Sequence, residues 1–102
     1  MRDVQLGSKA ARDLRRIKDD RAKRDVGKFL KDELTADPHP DNVDIVPLSG
    51  NKPWLRGRCG EHRVIFRPPT RDEVGEGFTT GYLVARIVDR KQLETAIKRL
   101  TD

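Results

Sequence analysis

The sequence is poor in the residues that build disulfides and metal sites. It holds one cysteine, Cys59, and two histidines, His39 and His62. A single cysteine excludes an intrachain disulfide, so a reducing compartment is expected. Cys59 is expected to be a buried small residue rather than a nucleophile. Cys59 and His62 are close in sequence, but no second cysteine completes a tetrahedral ligand set. The sequence therefore predicts no metal site and no cofactor.

Long apolar runs are also absent. No stretch is apolar for long enough to span a bilayer, and the N-terminus lacks the apolar segment of a signal peptide. A cytoplasmic protein with no membrane partner is expected. Apolar residues make up 34% of the chain and charged residues 38%, which predicts a thin core and modest stability. With 102 residues, a single domain over residues 1–102 is expected.

Positive charge exceeds negative charge along the chain. The formal net charge is +5 and the sequence pI is about 9.7. A small basic domain favours polyanionic partners, with nucleic acid first and an acidic protein segment second. The alternative is that the lysines and arginines merely face water.

Residues 54–67 are rich in arginine and are predicted to form a strand, a turn and a second strand. The segment holds one acidic residue, Glu61, and four arginines, namely Arg56, Arg58, Arg63 and Arg67. Gly60 and Glu61 supply a two-residue turn, so Arg58 and Arg63 are expected to lie directly opposite each other. Like charges so placed are destabilising. This arrangement favours a ligand rich in phosphate or carboxylate.

Hydrophobic periodicity predicts a strand followed by two amphipathic helices in the N-terminal part of the chain. The expected landmarks are a strand at 3–6, a helix N-cap at Ser8, a second cap at Asp19-Asp20 and a helix end at Pro38 and Pro40. Two helices joined this closely are expected to form an antiparallel hairpin.

The rest of the chain is predicted to be mainly strand. The expected elements are an edge strand at 43–48, the arginine hairpin at 54–67, a long polar connection at 68–81, a strand at 82–88 and a short helix at 92–100. This order predicts an α+β fold. An N-terminal strand, a helical hairpin and a short C-terminal helix are expected, with the helices packed on one side of a small antiparallel sheet.

Several segments match the pattern of a known family. They are residues 8–14, Asp37-Pro38, residues 48–50, the hairpin pattern Arg-x-Arg-x-Gly-x-x-Arg-Val-Ile and Asp89-Arg90-Lys91. On these segments, and over nearly its whole length, the chain resembles the RelE/ParE toxins of bacterial type II toxin–antitoxin systems. The resemblance implies a compact toxin fold that a cognate antitoxin wraps and neutralises. RelE-like members cleave messenger RNA on the ribosome, whereas ParE-like members inhibit DNA gyrase.

One departure from the RelE-like pattern bears on activity. Many RelE-like enzymes carry a tyrosine shortly after the last arginine, whereas residues 93–96 here are Leu-Glu-Thr-Ala. The preferred interpretation is a metal-independent endoribonuclease, that is, an RNA-binding mRNA interferase. Two alternatives stay open, a gyrase-inhibiting toxin without its own catalysis and an inactive family member.

Metal-free RNA cleavage uses the ribose 2′-hydroxyl as nucleophile and needs a base, an acid and cations around the phosphate. Arg58, Arg63 and Arg90 are predicted to be catalytic because guanidinium groups match phosphate oxygens. His62 is a predicted acid or base because its unperturbed pKa lies near neutrality. Strand alternation nevertheless places His62 on the face opposite Arg63.

The remaining predicted site residues bind substrate. Arg56 and Arg67 are predicted to contact RNA phosphates, and Trp54 is predicted to stack on a base. The competing interpretations are exposed arginines with loose acidic partners and a partly buried Trp54. Asp89 and Glu61 are candidates to orient an arginine or to act as a base.

Overall fold

The secondary structure is described for residues 3–75 and 81–100 in a computed structural model of the protein. The elements in chain order are β1 (Val4–Leu6), α1 (Ser8–Arg16), α2 (Asp20–Lys28), β2 (Asp44–Pro47), β3 (Leu55–Cys59), β4 (His62–Arg67), α3 (Arg71–Gly75), β5 (Tyr82–Asp89) and α4 (Leu93–Lys98). A π-helical turn at Phe29–Glu33 extends α2, and a 3-10 turn at Arg90–Gln92 leads into α4.

The five strands form a sheet in the order β1-β5-β4-β3-β2. Strands β2 to β5 pair antiparallel with their neighbours, whereas β1 runs parallel to β5. The predicted α+β fold is confirmed, with its N-terminal strand, helical segments and short C-terminal helix. The sheet is mixed rather than antiparallel throughout, because β1 joins a strand that is distant in sequence. β2 lies at an edge, as Pro47 predicts, since proline cannot donate to a second neighbour.

Strand alternation divides the apolar side chains of the sheet between two faces. One face packs against α1, α2 and the π-helical turn through Ala10, Val26, Phe29, Leu30, Leu34, Val64, Phe66, Val84 and Ile87. We call it the α1–α2 face. The opposite face, here the α4 face, has a smaller cluster of Leu48, Trp54, Ile65, Val88 and Ala96. The expectation that the helices share one side is wrong for α4, because Ile65 and Val88 leave an apolar strip that α4 covers.

Gly57 determines how closely the extension of α2 approaches β3. A Cβ atom at this position would lie 3.0 Å from Cε2 of Phe29 and closer still to Cζ. The Phe29 side chain is buried against this glycine, with 2% of the residue exposed. Phe29 therefore packs on the β3 backbone between Arg56 and Arg58, on the face opposite these two arginines.

A β-bulge in β5 is tied to α1 by Asp13. The β4–β5 register shifts between Ile65 and Phe66. The Asp13 carboxylate accepts a hydrogen bond from the Ile87 N–H at 2.9 Å. It also accepts two bonds from the Arg86 guanidinium, at 2.8 and 3.2 Å. Asp13 thus holds the irregular part of β5 against α1 and gives the Ile87 N–H a partner.

The first turns of the two helices differ in how they are capped. Asp19 caps α2 as predicted, and its carboxylate accepts the Ala22 N–H at 3.0 Å. The prediction that Ser8 caps α1 is wrong, because Gly7 is the N-cap residue and makes no side-chain bond. The Gly7 N–H donates to the Val84 carbonyl oxygen at 2.9 Å. The sheet pairing therefore continues through Gly7, and Ser8 becomes the first residue of the helix.

Two further boundaries differ from the prediction. The second helix ends at the π-helical turn, before Pro38 and Pro40, because the Leu34 N–H reaches back to the Phe29 carbonyl at 2.7 Å and widens the last turn. The polar connection at 68–81 contains α3, and residues 76–80 of it lie outside the described residues.

Candidate functional site

The turn between β3 and β4 brings the predicted arginines onto the α4 face. Arg58 pairs with Arg63, and Arg56 pairs with Ile65. Gly60 has a φ of 58°, which its lack of a side chain permits at the tip of this tight turn. The predicted opposition of Arg58 and Arg63 is therefore confirmed.

Arg63 is the central member of this group. Its Nη1 atom donates to the carbonyl oxygens of Gly60, at 2.8 Å, and of His62, at 3.0 Å. Burial lowers the pKa of Arg63 first, and the like charges of Arg58, Arg56 and Arg90 lower it further, whereas Glu61 opposes them. The four guanidinium groups therefore share one electrostatic neighbourhood. We call Arg56, Arg58, Arg63 and Arg90 the arginine cluster.

Arg90 joins the cluster from the end of β5 and is oriented by the turn. Its backbone N–H donates to the Glu61 carbonyl at 2.8 Å. Its Nε atom lies 2.7 Å from Glu61 Oε2, with side-chain exposures of 56% and 67%. An ion pair this exposed contributes little to stability. Glu61 therefore orients Arg90 and remains accessible to a ligand.

The two arginines of β3 are weakly neutralised. Arg56 Nη2 lies 3.5 Å from Asp44 Oδ1, which is long for a hydrogen bond. Arg58 is exposed and has no carboxylate within ion-pair distance among residues 3–75 and 81–100. The Arg58 guanidinium is therefore available to an anionic ligand, whereas only 17% of the Arg56 side chain is exposed.

The structure does not bring Arg67 and Trp54 into the cluster. Arg67 forms two bonds to the Glu73 carboxylate, at 2.7 and 3.2 Å, and lies 5.4 Å from the centroid of the Trp54 ring. Hydrogen bonds from Arg67 and then from the Thr70 backbone lower the pKa of Glu73 to about 2. Trp54 is buried, with 6% exposed, and its ring contacts Arg67.

Glu73 is a structural residue that the sequence analysis missed. Its carboxylate accepts the Thr70 N–H at 2.7 Å, and its own N–H donates to the Thr70 hydroxyl at 3.2 Å. This reciprocal pair is a capping box at the start of α3. The Thr-x-x-Glu spacing at 70–73 is the signal that identifies it in the sequence.

His62 lies on the α1–α2 face and not with the arginine cluster. It pairs with Cys59 in β3 and with Asp89 in β5. With Arg16 and Lys18 it lines a cleft of about 540 Å³ beside the connection from α1 to α2. The sheet therefore separates the His62 imidazole from Arg58 and Arg63, as strand alternation predicts.

Cys59 and Asp89 also lie on the α1–α2 face, apart from the arginine cluster. Cys59 is half-buried against the α1–α2 face. Burial raises the pKa of its thiol, and the charges of Asp25 and Glu33 raise it further, which disfavours the reactive thiolate. The Asp89 carboxylate accepts the Lys91 N–H at 2.9 Å and caps the 3-10 turn.

The arrangement is suited to binding phosphate groups. Guanidinium groups donate paired hydrogen bonds to phosphate oxygens and stay protonated at physiological pH.

Within residues 3–75 and 81–100, His, Cys, Asp and Glu side chains form no group of three that could hold a metal ion. In the same ranges, the helices are too short or too polar to cross a membrane.

No protein-family model and no curated protein matches the chain. A solved structure does match, in a crystal structure of the RelB–RelE antitoxin–toxin complex from Methanococcus jannaschii. The superposition has a TM-score of 0.66 at 13% sequence identity and covers 90% of this chain and 96% of that chain. The fold is RelE-like. At 13% identity the match shows the fold alone. The matched structure is that of an antitoxin–toxin complex.

Proposed function

We propose that this RelE-like chain is the toxin of a type II toxin–antitoxin system. In this proposal it acts in the cytoplasm as a metal-independent endoribonuclease on messenger RNA at the ribosome. A cognate antitoxin is its protein partner. The observation that carries the proposal is the convergence of Arg56, Arg58, Arg63 and Arg90 on one face of the sheet, with Arg58 and Arg90 exposed.

The arginine cluster would stabilise charge that builds on the scissile phosphate. The ribose 2′-oxygen forms a bond to phosphorus while the bond from phosphorus to the 5′-oxygen breaks. The products are a 2′,3′-cyclic phosphate and a 5′-hydroxyl end. Fixed guanidinium groups favour the transition state because they need no reorganisation as the negative charge grows. Arg58 and Arg63, opposite each other across the hairpin, are the proposed catalytic pair, and Arg90 supports them.

The reaction also needs a group that takes the 2′-hydroxyl proton and a group or water molecule that gives a proton to the departing 5′-oxygen. Glu61 contacts the cluster through its bond to Arg90, and Asp44 lies at the longer distance of 3.5 Å from Arg56. Glu61 is our candidate for positioning Arg90 or for accepting the 2′-hydroxyl proton. His62 would have to act from the other face of the sheet, and the hairpin would have to rearrange for it to reach the phosphate at Arg63.

A gyrase-inhibiting toxin without catalysis is the second candidate. It is favoured by the composition of the cluster, in which the described residues place arginines and Glu61 but no imidazole or phenol. Such a surface can bind DNA or an acidic protein segment without performing chemistry. An inactive member that retains antitoxin binding would present the same surface.

The test is controlled induction of the chain, with RNA ends and plasmid topology measured in the same cells. The proposal predicts new 5′-hydroxyl ends within translated messages before any change in supercoiling. Purified protein that has been treated with EDTA and then freed of it should give the same ends when it is added to translating ribosomes. Gyrase-dependent loss of supercoiling with intact messages would instead support the second candidate.

A matched pair of variants separates catalysis from general charge. Arg58→Gln with Arg63→Gln removes two charges from the cluster, and Arg21→Gln with Arg24→Gln removes two from the exposed surface of α2. RNA cleavage should be lost in the first variant and retained in the second. Equal loss in both would refute a specific role for the cluster.

A further inference from the structure

The outer edge of β5 is paired over only part of its length, and two helices flank the remainder. β1 pairs with the segment from Tyr82 to Val84. Beyond it, α1 and α4 lie on either side of Ala85 and Arg86 and enclose a groove of about 300 Å³. We call it the basic groove, because its lining includes Lys9, Arg12, Arg16, Arg86 and Arg99.

Most of the positive charge in the basic groove is not neutralised. Arg86 is paired with Asp13. The other cations are exposed and have no acidic partner within residues 3–75 and 81–100; they are Lys9, Arg12, Arg16 and Arg99. The three of α1 recur at spacings of three and four residues, which places them on one face, where like charges repel. This repulsion is relieved by an anion in the groove.

We propose that the basic groove holds the phosphodiester backbone of a single-stranded RNA segment that continues from the arginine cluster. The inference rests on the proposed function for the identity of the ligand. From Lys9 to Arg16 the helix rises roughly 10 Å at about 1.5 Å per residue. The three cations of α1 are therefore spread along the groove and can meet successive phosphates of an extended strand.

The groove is continuous with the face that carries the cluster. Val88 pairs with Arg63 across β4 and β5 and lines a second cleft, of about 280 Å³, beside α4. This cleft and the basic groove share Arg86, Ala96 and Arg99. A strand bound at Arg63 can therefore pass along α4 into the groove, with Arg99 between the two sites.

An acidic peptide fits the groove less well than a nucleic-acid strand. A peptide that adds to a sheet edge needs free backbone groups, but the Val84 carbonyl accepts from Gly7 and the Ile87 N–H donates to Asp13. A helical peptide needs apolar pockets, and the apolar lining here is limited to Ala85, Ala96 and Leu100. The spaced cations remain the dominant feature.

The test is the salt dependence of binding to a fluorescent 2′-O-methyl RNA decamer, measured by anisotropy. The methyl group blocks attack by the 2′-oxygen, so binding is measured without cleavage. The groove variant combines Lys9→Gln, Arg12→Gln and Arg16→Gln, which keep good helix formers on α1. The matched control combines Lys23→Gln and Arg24→Gln on α2 with Lys31→Gln on the π-helical turn, and it removes the same charge.

Each phosphate contact makes the slope of log K against log salt more negative by about 0.7 for a single strand. The groove variant should lower the magnitude of this slope by roughly 2, while the control leaves it unchanged. The single variant Arg99→Gln should lower it by about 0.7. If circular dichroism shows that the groove variant does not fold, Arg12→Gln and Arg16→Gln are measured singly. Each should lower the magnitude of the slope by about 0.7, as for Arg99→Gln.

The failure of this inference differs from the failure of the proposed function. An unchanged slope in folded groove variants, or an equal decrease in the α2 control, would overturn the groove as an RNA site. A slope reduced only by Arg58→Gln would do the same while leaving the cluster as the RNA site. Groove-dependent binding of a polyglutamate peptide without groove-dependent RNA binding would make the groove a protein-docking surface. Absence of cleavage does not affect this measurement.

Discussion

At the scale of single residues, the β3–β4 turn controls the electrostatics of the candidate site. Arg63 bonds two carbonyl oxygens of its own turn, while Arg58 opposite it is exposed. One guanidinium is therefore preorganised and the other is free to meet a ligand. A phosphate between them would relieve their mutual repulsion, so the proposed binding of RNA would also stabilise the hairpin.

Replacing either central arginine should abolish most of the proposed activity. Arg58→Ala or Arg63→Ala should lower RNA cleavage by roughly 10²–10³-fold, the scale of losing one preorganised donor. The free energy of unfolding should change by about 0.5 kcal/mol or less for the exposed Arg58. Cleavage assays and urea denaturation measure the two effects. Folded variants with full toxicity would remove the hairpin from the mechanism.

His62 provides a separate test of the acid–base assignment. Because its imidazole lies on the α1–α2 face, His62→Ala should leave the pH–rate profile of cleavage unaltered. The profile should be compared with that of Glu61→Gln, which removes the carboxylate next to Arg90. A lost ionisation near neutrality in His62→Ala would show that the hairpin rearranges and that the histidine takes part.

At the scale of elements, close contact between the end of α2 and β3 supports the arginine-bearing strand. Gly57→Ala would place a methyl group against the Phe29 ring, which is buried on the sheet. We expect destabilisation of about 1–3 kcal/mol from overpacking, measured by urea denaturation. Gly27→Ala is the matched control, since a Cβ there meets no atom within 4 Å. Equal stability of the two variants would contradict this packing.

The start of α3 should be sensitive to acid through Glu73. Its folded-state pKa of about 2 lies below the ordinary value of 4.5. The bonds to Arg67 and Thr70 therefore stabilise the fold fully above about pH 4.5 and are lost as the pH falls towards 2. The single tryptophan, which Arg67 contacts, should report this change by fluorescence. Glu73→Gln should lack this transition, and its persistence there would assign it to another carboxylate.

At the scale of the whole molecule, a thin core and a net charge of +5 predict a stabilising acidic or amphipathic partner. The segment of the antitoxin that binds should cover the arginine cluster or the α1–α2 helices. Co-expression with the product of the neighbouring small reading frame should yield a complex with a raised Tm. A hundredfold excess of partner over its Kd stabilises the folded state by about 2.7 kcal/mol.

Charge-reversal variants locate this partner. Arg58→Glu with Arg63→Glu should weaken the complex if the antitoxin covers the cluster, and Lys23→Glu with Arg24→Glu should weaken it if the antitoxin covers the helices. A neighbouring product that neither co-purifies nor relieves toxicity would refute the antitoxin assignment.

Signals from a few adjacent residues predicted much of the fold. The two-residue turn at Gly60-Glu61 determines the pairing of Arg58 with Arg63, because strand register follows from turn length. Pro47 places β2 at an edge because it lacks an N–H. Asp19 marks the start of α2 because its carboxylate reaches an otherwise unpaired helix N–H. Each signal depends on a few adjacent residues.

Packing between elements decided which arginines are available to a ligand and where α4 lies, which the local signals do not predict. Arg67 lies on a hairpin strand, as Arg58 does. Its guanidinium is bound to the Glu73 carboxylate and lies over the Trp54 ring, so it is less available to a ligand. Asp13 meets Arg86 only because α1 covers the bulged edge of β5. The same packing places α4 on the second face and creates the basic groove. The sequence by itself therefore determined which arginines share a strand face. Tertiary packing decided which of them remain free to bind, because contacts such as Arg90 with Glu61 and Arg67 with Trp54 join residues that are separated in the chain.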